Sequence, residues 1–269
     1  MAIREKIKSG FPGLYRLLLR LYRVTPLYNA GLKRDMATRR RREAIFLKEL
    51  FASPPSVCAG PFAGLHYLEE ASGSVLLPKL LGTYEAALHP WIAEAQRSGY
   101  ETLLDVGCAE GYYAVGFAAT CPALRVLAYD LNPSARALCQ RMAEANGVAD
   151  RIAIREQCDA AAIKTEANGK TLVICDIEGA EYGLLDPGKI PVLQRLDIIV
   201  EAHDHLNPDI TPTLLQRFRD THEMDTVSAA APSQDFLKPI AHLSKEDQQF
   251  ILDEQRTPEM VWHRFRVRA

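Results

Sequence analysis

From Glu101 onward, short apolar or β-branched runs alternate with segments whose apolar residues recur at helical spacing. This alternation is typical of βαβ units, in which helices join parallel strands. The pattern predicts strands near residues 102–106, 124–129, 151–155, 171–176, 196–201, 224–229 and 260–267. It predicts helices near residues 111–120, 134–147, 180–186, 211–220 and 245–254. We therefore expect an α/β domain with a seven-stranded, mostly parallel sheet and helices on both faces.

Two of these helices carry end signals. Asn146-Gly147 supplies a C-terminal cap for the helix near 134–147. Ser244, three residues before Asp247, forms a capping box that opens the helix between the last two strands.

The first 74 residues follow a different pattern. Arginines at 16, 20 and 23 share one face of a predicted helix over 14–24, and leucines occupy the rest. A second helix is predicted over 33–51. We interpret 1–74 as a basic helical extension of a domain over 75–269. The first helix either lies on an anionic membrane or packs its apolar side on the domain.

Charge is distributed unevenly along the chain. The net charge is −2, with 48% hydrophobic and 25% charged residues, which is ordinary for a folded globular protein. Residues 1–48, however, carry thirteen Lys or Arg, including the run Arg39 to Arg42, against three acids. The remainder is acidic, which argues against a protein that coats nucleic acid.

The cysteines and the apolar runs indicate the compartment. The six cysteines are scattered singly, with no C-x-x-C pair, as is typical of a reducing compartment. No signal peptide is evident, and no apolar run reaches the ~20 residues that a membrane-spanning helix needs. We expect a cytoplasmic protein, with peripheral contact at the inner membrane surface as an alternative.

The strongest chemical signal is a glycine-rich turn in LLDVGCAEGYYAVG. A buried strand ends near Asp105, the chain turns at Gly107, Cys108 and Ala109, and a helix begins after Gly111. Glycines at such a turn let the backbone approach a ligand closely. An acid before the turn favours a ligand with a cationic amino group over a pyrophosphate.

Two later strand ends carry further acids. Asp130, followed by Leu131, ends the second strand about twenty residues beyond the turn, where a carboxylate accepts hydrogen bonds from ribose hydroxyls. Asn132 is the better N-cap of the next helix, which leaves Asp130 free for a ligand. Asp159 and Ala160 follow the third strand, and a surface turn is the alternative role for this aspartate.

The fourth strand leads into D-x-E-G-x-E, from Asp176 to Glu181. This sequence resembles the signature of FkbM-type methyltransferases, which act on hydroxyls of sugars, glycans and polyketides. With the glycine turn and Asp130, it implies a Rossmann-like class I methyltransferase fold with S-adenosylmethionine as cofactor. The resemblance covers about residues 75–205.

The same resemblance implies further cofactor contacts. Asp159 and Ala160 match the adenine-contacting position of the family. The segment PKLLGTYEAAL looks like the family's lead-in, in which Tyr84 and Glu85 fold over the methionine end of the cofactor.

Candidate catalytic residues lie at the ends of the fourth and fifth strands. A hydroxyl is a poor nucleophile, so its proton must leave as it is methylated. The candidates for this step are Asp176, Glu178, Glu201 and His203. His203 has the ordinary pKa best suited to a base near neutrality, and its alternative role is to cap the strand end.

A metal site is an alternative that we do not expect. Asp176 and Glu201, with His203 or Asp204, could hold a divalent ion through oxygen and nitrogen ligands. Neither these acids nor the His203-x-His205 spacing composes a closed zinc site.

Three other functions compete with a small-molecule or glycan methyltransferase. An RNA-modifying enzyme would use Arg39–Arg42 to hold phosphates, but no aromatic-interleaved basic surface accompanies them. A non-catalytic relative would bind the cofactor without turnover, and Ala109, in place of a glycine, is the feature that fits it. A nicotinamide dehydrogenase is excluded by the glycine spacing. The sequence predicts no oligomeric state.

Overall fold

The computed structural model describes residues 26–228, 231–256 and 260–268, with side chains from residue 37 onward. The predicted helix over 14–24 lies outside these residues. The chain divides into two compact units, Met1–Glu49 and Leu50–Ala269. Residues 50–74 thus fall in the second unit, and the predicted division after residue 74 stays a prediction.

The described part of the first unit contains one long helix. Helix α1, Pro26–Leu50, begins seven residues before the predicted start at 33. Proline suits the first turn of a helix because its fixed φ is already helical and its missing N–H is not needed there. Arg40 and Arg41 are exposed. Among the described helices, none is long and apolar enough to cross a membrane.

The second unit is built on one seven-stranded sheet. The strands are β1 Thr102–Val106, β2 Arg125–Tyr129, β3 Ile152–Arg155, β4 Thr171–Cys175, β5 Asp197–Ala202, β6 His222–Val227 and β7 Val261–Val267. Their order is β3-β2-β1-β4-β5-β7-β6, and β7 runs in the opposite direction to the other six described strands. This topology confirms the predicted Rossmann-like class I methyltransferase fold.

Helices connect the strands. They are α2 Leu76–Leu81, α3 His89–Arg97, α4 Tyr112–Thr120, α5 Pro133–Ala145, α6 Ala160–Glu166, α7 Glu181–Leu184, α8 Ile210–Phe218 and α9 Lys245–Leu252. The Ser244 hydroxyl accepts from the Asp247 N–H, as the predicted capping box requires. The pattern missed α2 and α3, which precede the first strand and so lie outside the strand–helix alternation, and it missed the seven-residue α6.

The core lies on both faces of the sheet. Every position of β1 and β4 is buried, which requires cover on both sides. On one face, Ile210, Leu214 and Phe218 of α8 belong to the same buried cluster as Val200 of β5. The chain leaves β1 in one direction across the sheet and enters β4 on the other side. Ligands of such sheets bind at this switch point, beyond the carboxyl ends of the strands.

Candidate functional site

A cavity of about 590 Å³ opens at the carboxyl ends of β1, β2 and β4. Seven predicted site residues line it: Gly107, Asp130, Leu131, Asp159, Ala160, Asp176 and Glu178. The other predicted residues lie outside this lining: Tyr84, Glu85, Asp105, Cys108, Ala109, Gly111, Glu201 and His203. The sequence therefore identified the cavity wall, together with residues that pack behind or beside it.

Gly107 lies against the backbone that follows β4. Its φ is +88°, and a Cβ there would lie 1.8 Å from the Asp176 carbonyl oxygen. The Asp176 N–H donates to the Val106 carbonyl across 2.9 Å, so the two strand ends are tied together. No side chain larger than hydrogen fits at position 107 without moving the backbone.

The next positions of the turn are also left-handed. Ala109 has a φ of +48°, a conformation that costs an alanine about 1 kcal/mol. Its N–H donates to Asp130 across 2.9 Å, which holds the turn in place despite the missing glycine. Gly111 has a φ of +96° and precedes α4. Cys108 is buried, and its thiol lies 3.7 Å from the Ala109 carbonyl oxygen, so it packs within the turn.

Asp130 lies in the cavity wall at the end of β2. One carboxylate oxygen accepts from the Ala109 N–H and the other from the Asn132 N–H, across 2.9 and 2.8 Å. Each oxygen keeps a second lone pair for a ligand hydroxyl. Asn132 caps α5 by accepting from the Ser134 N–H, as expected. Leu131 is 69% exposed beside the cavity and offers an apolar contact.

Asp159 caps a helix and also lines the cavity. Its carboxylate caps α6 by accepting from the Ala162 N–H across 2.8 Å. The residue is exposed and lines the cavity together with Ala160.

Asp105 is buried beneath the glycine turn. Burial, together with the charges of Asp176 and Asp130, raises the pKa of its carboxyl group to about 7, although a hydrogen bond from the Ala114 backbone and the charge of Lys79 lower it. Its Oδ2 atom has no hydrogen-bond partner in the described residues. A buried acceptor without a partner is costly unless a ligand or water completes it.

These features fit S-adenosylmethionine. The cavity volume lies within the ~300–1,000 Å³ typical of ligand pockets. Asp130 offers lone pairs for a diol, Gly107 keeps the backbone close, and Asp105 supplies an unpartnered acid.

Beside this cavity, Asp176, Glu178 and His203 form a cluster that we call the strand-end cluster. Each contributes one ligand-type atom, and these three atoms lie within 4.8 Å of one another. Nε2 of His203 is 3.5 Å from a carboxylate oxygen of Asp176 and 3.5 Å from one of Glu178. The histidine is fully buried, whereas the Glu178 side chain is 74% exposed.

The histidine ring is held from behind by Glu181. Its Oε1 lies 2.9 Å from Nδ1 of His203 and also accepts from the Ile177 N–H across 3.0 Å. Burial alone would lower the pKa of His203, but the hydrogen bond and charge of Glu181, with the Asp176 charge, raise it to about 9. The prediction that His203 acts as a base near its ordinary pKa did not include these charges.

Glu201 does not join the strand-end cluster. It is buried and pairs with the guanidinium of Arg256, which also binds Glu85 across 2.8 Å and Glu254 across 3.2 Å. Burial and the Asp176 charge raise the pKa of Glu201. Tyr113 donates to Glu85 in the same network. Glu85, predicted to cover the cofactor, thus holds the segment after α9.

The remaining residues considered from the sequence do not belong to the strand-end cluster. The Tyr84 ring lies 5.3 Å from the Tyr112 ring, and the Lys79 ammonium lies 4.9 Å above the Tyr84 ring. Asp204 accepts from the N–H and hydroxyl of Thr211, so it faces away from the strand-end cluster. His205 is exposed.

Sequence reasoning missed two residues that organise the site. Glu181 is the last acid of the D-x-E-G-x-E motif, so the motif already contained it. Arg256 lies 55 residues after its partner Glu201, and no local pattern connects the two.

A family model described as a methyltransferase domain matches residues 103–209. No curated protein matches the chain.

Several solved structures are similar. An O-methyltransferase from Bacillus cereus in complex with SAH is 13% identical, with a TM-score of 0.42, over 65% of this chain and 77% of that one. The O-methyltransferase TomG from Streptomyces achromogenes, in complex with SAM, is 12% identical, with a TM-score of 0.43 and the same coverage of 65% and 77%. A putative precorrin-6Y C5,15-methyltransferase domain from Corynebacterium diphtheriae is 16% identical, with a TM-score of 0.41, over 66% and 95%.

Proposed function

We propose that this chain, an S-adenosylmethionine-dependent methyltransferase, methylates a hydroxyl group of a sugar or glycan. The observation that carries the proposal is the strand-end cluster, in which Asp176 belongs both to the cavity wall and to a group of two carboxylates and an imidazole. An amine or thiol acceptor has less need of such a cluster, because a hydroxyl is the weaker nucleophile.

In the proposed cofactor site, three residues of the cavity wall and one buried acid behind it lie beside different parts of the ligand. Asp130 accepts from the ribose hydroxyls with the lone pairs that its backbone contacts leave free. Asp159 and Ala160 lie beside the adenine. Asp105 lies nearest the cationic amino group, where an opposite charge stabilises its ionised form.

The bound cofactor supplies a methyl group on a positively charged sulfur; the acceptor oxygen takes the methyl, the bonding pair stays on sulfur, and the hydroxyl proton must leave. Asp176 lies in the cavity wall, 3.5 Å from His203, and we assign it as the group that accepts the hydroxyl proton. His203 and Glu178 hold the acceptor oxygen beside it. Alignment of the two reactants supplies most of the acceleration, because the methyl donor is already activated.

The sugar or glycan class rests on two supports. Carboxylates and an imidazole around one cavity edge suit a ligand with neighbouring hydroxyls, which donate and accept hydrogen bonds. The D-x-E-G-x-E sequence resembles enzymes that act on such acceptors.

Peripheral membrane contact stays a prediction. It rests on residues 14–24, which are outside the described residues, and on the run Arg39–Arg42 of α1. Flotation with anionic liposomes tests it, since a chain that stays in the bottom fraction does not bind. Salt-sensitive RNA binding in the same sample would instead favour the nucleic-acid alternative.

The experiment for the proposed function has two stages. Calorimetry first measures the binding of S-adenosylmethionine and its demethylated product. Transfer of a labelled methyl group is then screened on monosaccharides, nucleotide sugars and glycans, with mass spectrometry to locate the new group. Asp176→Asn should bind the cofactor but lose transfer. A product methylated on nitrogen or sulfur would overturn the proposal.

A further inference from the structure

The strand-end cluster has a buried atom without a hydrogen bond. Nε2 of His203 is fully buried and has no hydrogen-bond partner in the described residues, although two carboxylates face it. At 3.5 Å, these contacts are longer than the ~2.7–2.9 Å of a direct charge-assisted hydrogen bond. The two carboxylates are therefore close to Nε2 but do not form a hydrogen bond with it.

The spacing suits three ligands of one ion. Two ligands that are each about 2.1 Å from a metal, at octahedral to tetrahedral angles, lie about 3.0–3.4 Å apart. The observed 3.5 Å separations are close to that range, and both carboxylates approach the same ring nitrogen.

Glu181 supplies the support that metal-bound histidines usually have. It accepts from Nδ1 of His203 across 2.9 Å and is itself fully buried. A carboxylate on one ring nitrogen fixes the tautomer and turns the other nitrogen's lone pair toward the metal. This contact is independent of Asp176 and Glu178, because Glu181 binds Nδ1 whereas those two acids approach Nε2.

We propose that Asp176, Glu178 and His203 bind one divalent first-row metal ion, with Glu181 orienting the histidine. Mixed oxygen and imidazole ligands suit an ion such as Mn²⁺. With the ion bound, Asp176 acts as a ligand and no longer as the proton acceptor. Three protein ligands leave positions for the acceptor hydroxyl, whose pKa the ion lowers, so that its proton passes to water as the methyl group is transferred. This catalytic role rests on the proposed hydroxyl acceptor, whereas the binding of the ion does not.

The site differs from the metal site considered from the sequence. That alternative used Glu201, which instead pairs with Arg256, and Asp204, which binds Thr211. Glu178 takes their place. It has a φ of +53°, and this left-handed backbone brings its carboxylate toward His203.

The test is titration of Mn²⁺ alone into the full-length, metal-free chain, followed by electron paramagnetic resonance and calorimetry. We expect one saturable site whose spectrum shows coupling to an imidazole nitrogen. Asp176→Asn and Glu178→Gln should each weaken binding at least tenfold, and His203→Gln should abolish the nitrogen coupling. Asp209→Asn, an exposed acid at the start of α8, is the matched control and should leave binding unchanged.

Three results would overturn the proposal: no saturable binding at millimolar Mn²⁺, binding without nitrogen coupling, or binding unaffected in Asp176→Asn. If His203→Gln does not fold, the two acid variants carry the test, because both acids are partly or largely exposed. Cofactor binding is measured in the same samples. Normal cofactor binding without Mn²⁺ binding rejects the metal site alone, whereas loss of methyl transfer to every hydroxyl acceptor concerns the proposed function.

Discussion

Glu181 Oε1 lies 2.9 Å from Nδ1 of His203, and both side chains are fully buried. This contact fixes the plane of the imidazole and leaves Nε2 facing Asp176 and Glu178. Glu181 itself does not line the cavity, so it acts through the histidine as a positioning residue.

Glu181→Gln should disturb the orientation of the His203 ring without changing the binding of the cofactor. Glutamine keeps the size but removes the charge that holds the ring, and loss of such an outer partner typically costs about 10–100-fold in metal affinity or activity. We expect kcat and Mn²⁺ affinity to fall by this amount, while the KM for the cofactor stays constant. An equal loss of cofactor affinity would indicate general damage to the fold instead.

Asp130→Asn should weaken cofactor binding. The variant keeps its shape but replaces a charged acceptor, and hydrogen bonds to charged groups contribute about 1.5–3 kcal/mol. We expect a Kd about 10–100-fold higher by calorimetry. Asp220→Asn is the control, because that side chain is 80% exposed and pairs only with its neighbour Arg219 among the described contacts. Unchanged affinity in Asp130→Asn would remove Asp130 from the cofactor site.

Gly107→Ala and Gly147→Ala form a matched pair. Both glycines have positive φ, but a Cβ at 147 meets nothing within 4 Å, whereas at 107 it lies 1.8 Å from a carbonyl oxygen. The strain of a left-handed alanine costs about 1 kcal/mol, and the collision should raise the cost at 107 to about 3 kcal/mol. Urea unfolding measures both. Equal destabilisation would show that the contact with Asp176 relaxes without cost.

The buried pair Lys79–Glu110 should make stability depend on pH. Burial alone would raise the pKa of Glu110, but the charge of Lys79 and hydrogen bonds from Lys79 and Tyr67 outweigh it and lower the pKa below 4.5. The stabilisation is therefore complete above pH 4.5 and is lost as the pH falls through the lowered value. Denaturant unfolding between neutral and acidic pH should show this loss.

Glu110→Gln tests the same pair directly. It leaves the Lys79 ammonium buried without its carboxylate, which costs about 3–5 kcal/mol at neutral pH. The variant should also lose the acid dependence. Glu70→Gln is the control, because the Glu70–Arg141 pair is more than half exposed and such pairs contribute about 1 kcal/mol or less. Similar losses in both variants would contradict the difference in burial.

The centre of the sheet could be predicted from the sequence because β1, β2, β4 and β5 are almost wholly buried and read as apolar runs. Every predicted strand overlaps an observed one. Asp130 and the glycine turn could be found for the same reason, since each directly follows a buried run. Helices α2 and α3 could not, because they precede the first strand and so lie outside the strand–helix alternation.

The strand-end cluster was only half predictable. Alternation along β5 correctly separates Asp204 from His203, but it cannot show that Arg256 returns to neutralise Glu201. Nor can it show that Glu178 adopts a left-handed backbone. Long-range ion pairs and backbone strain are decided by tertiary packing, which a local pattern does not contain.

The position of β7 between β5 and β6 sets an order for assembly during synthesis. Strand β6 has no partner in the sheet until β7, which is synthesised after it, pairs with it. Arg256 also emerges only shortly before β7, so Glu201 stays without its cation until then. The glycine turn and the strand-end cluster, by contrast, have both been synthesised once the chain reaches His203, before Arg256 and β7. A nascent chain would therefore carry the residues of its candidate site while the outer part of the sheet is still unpaired.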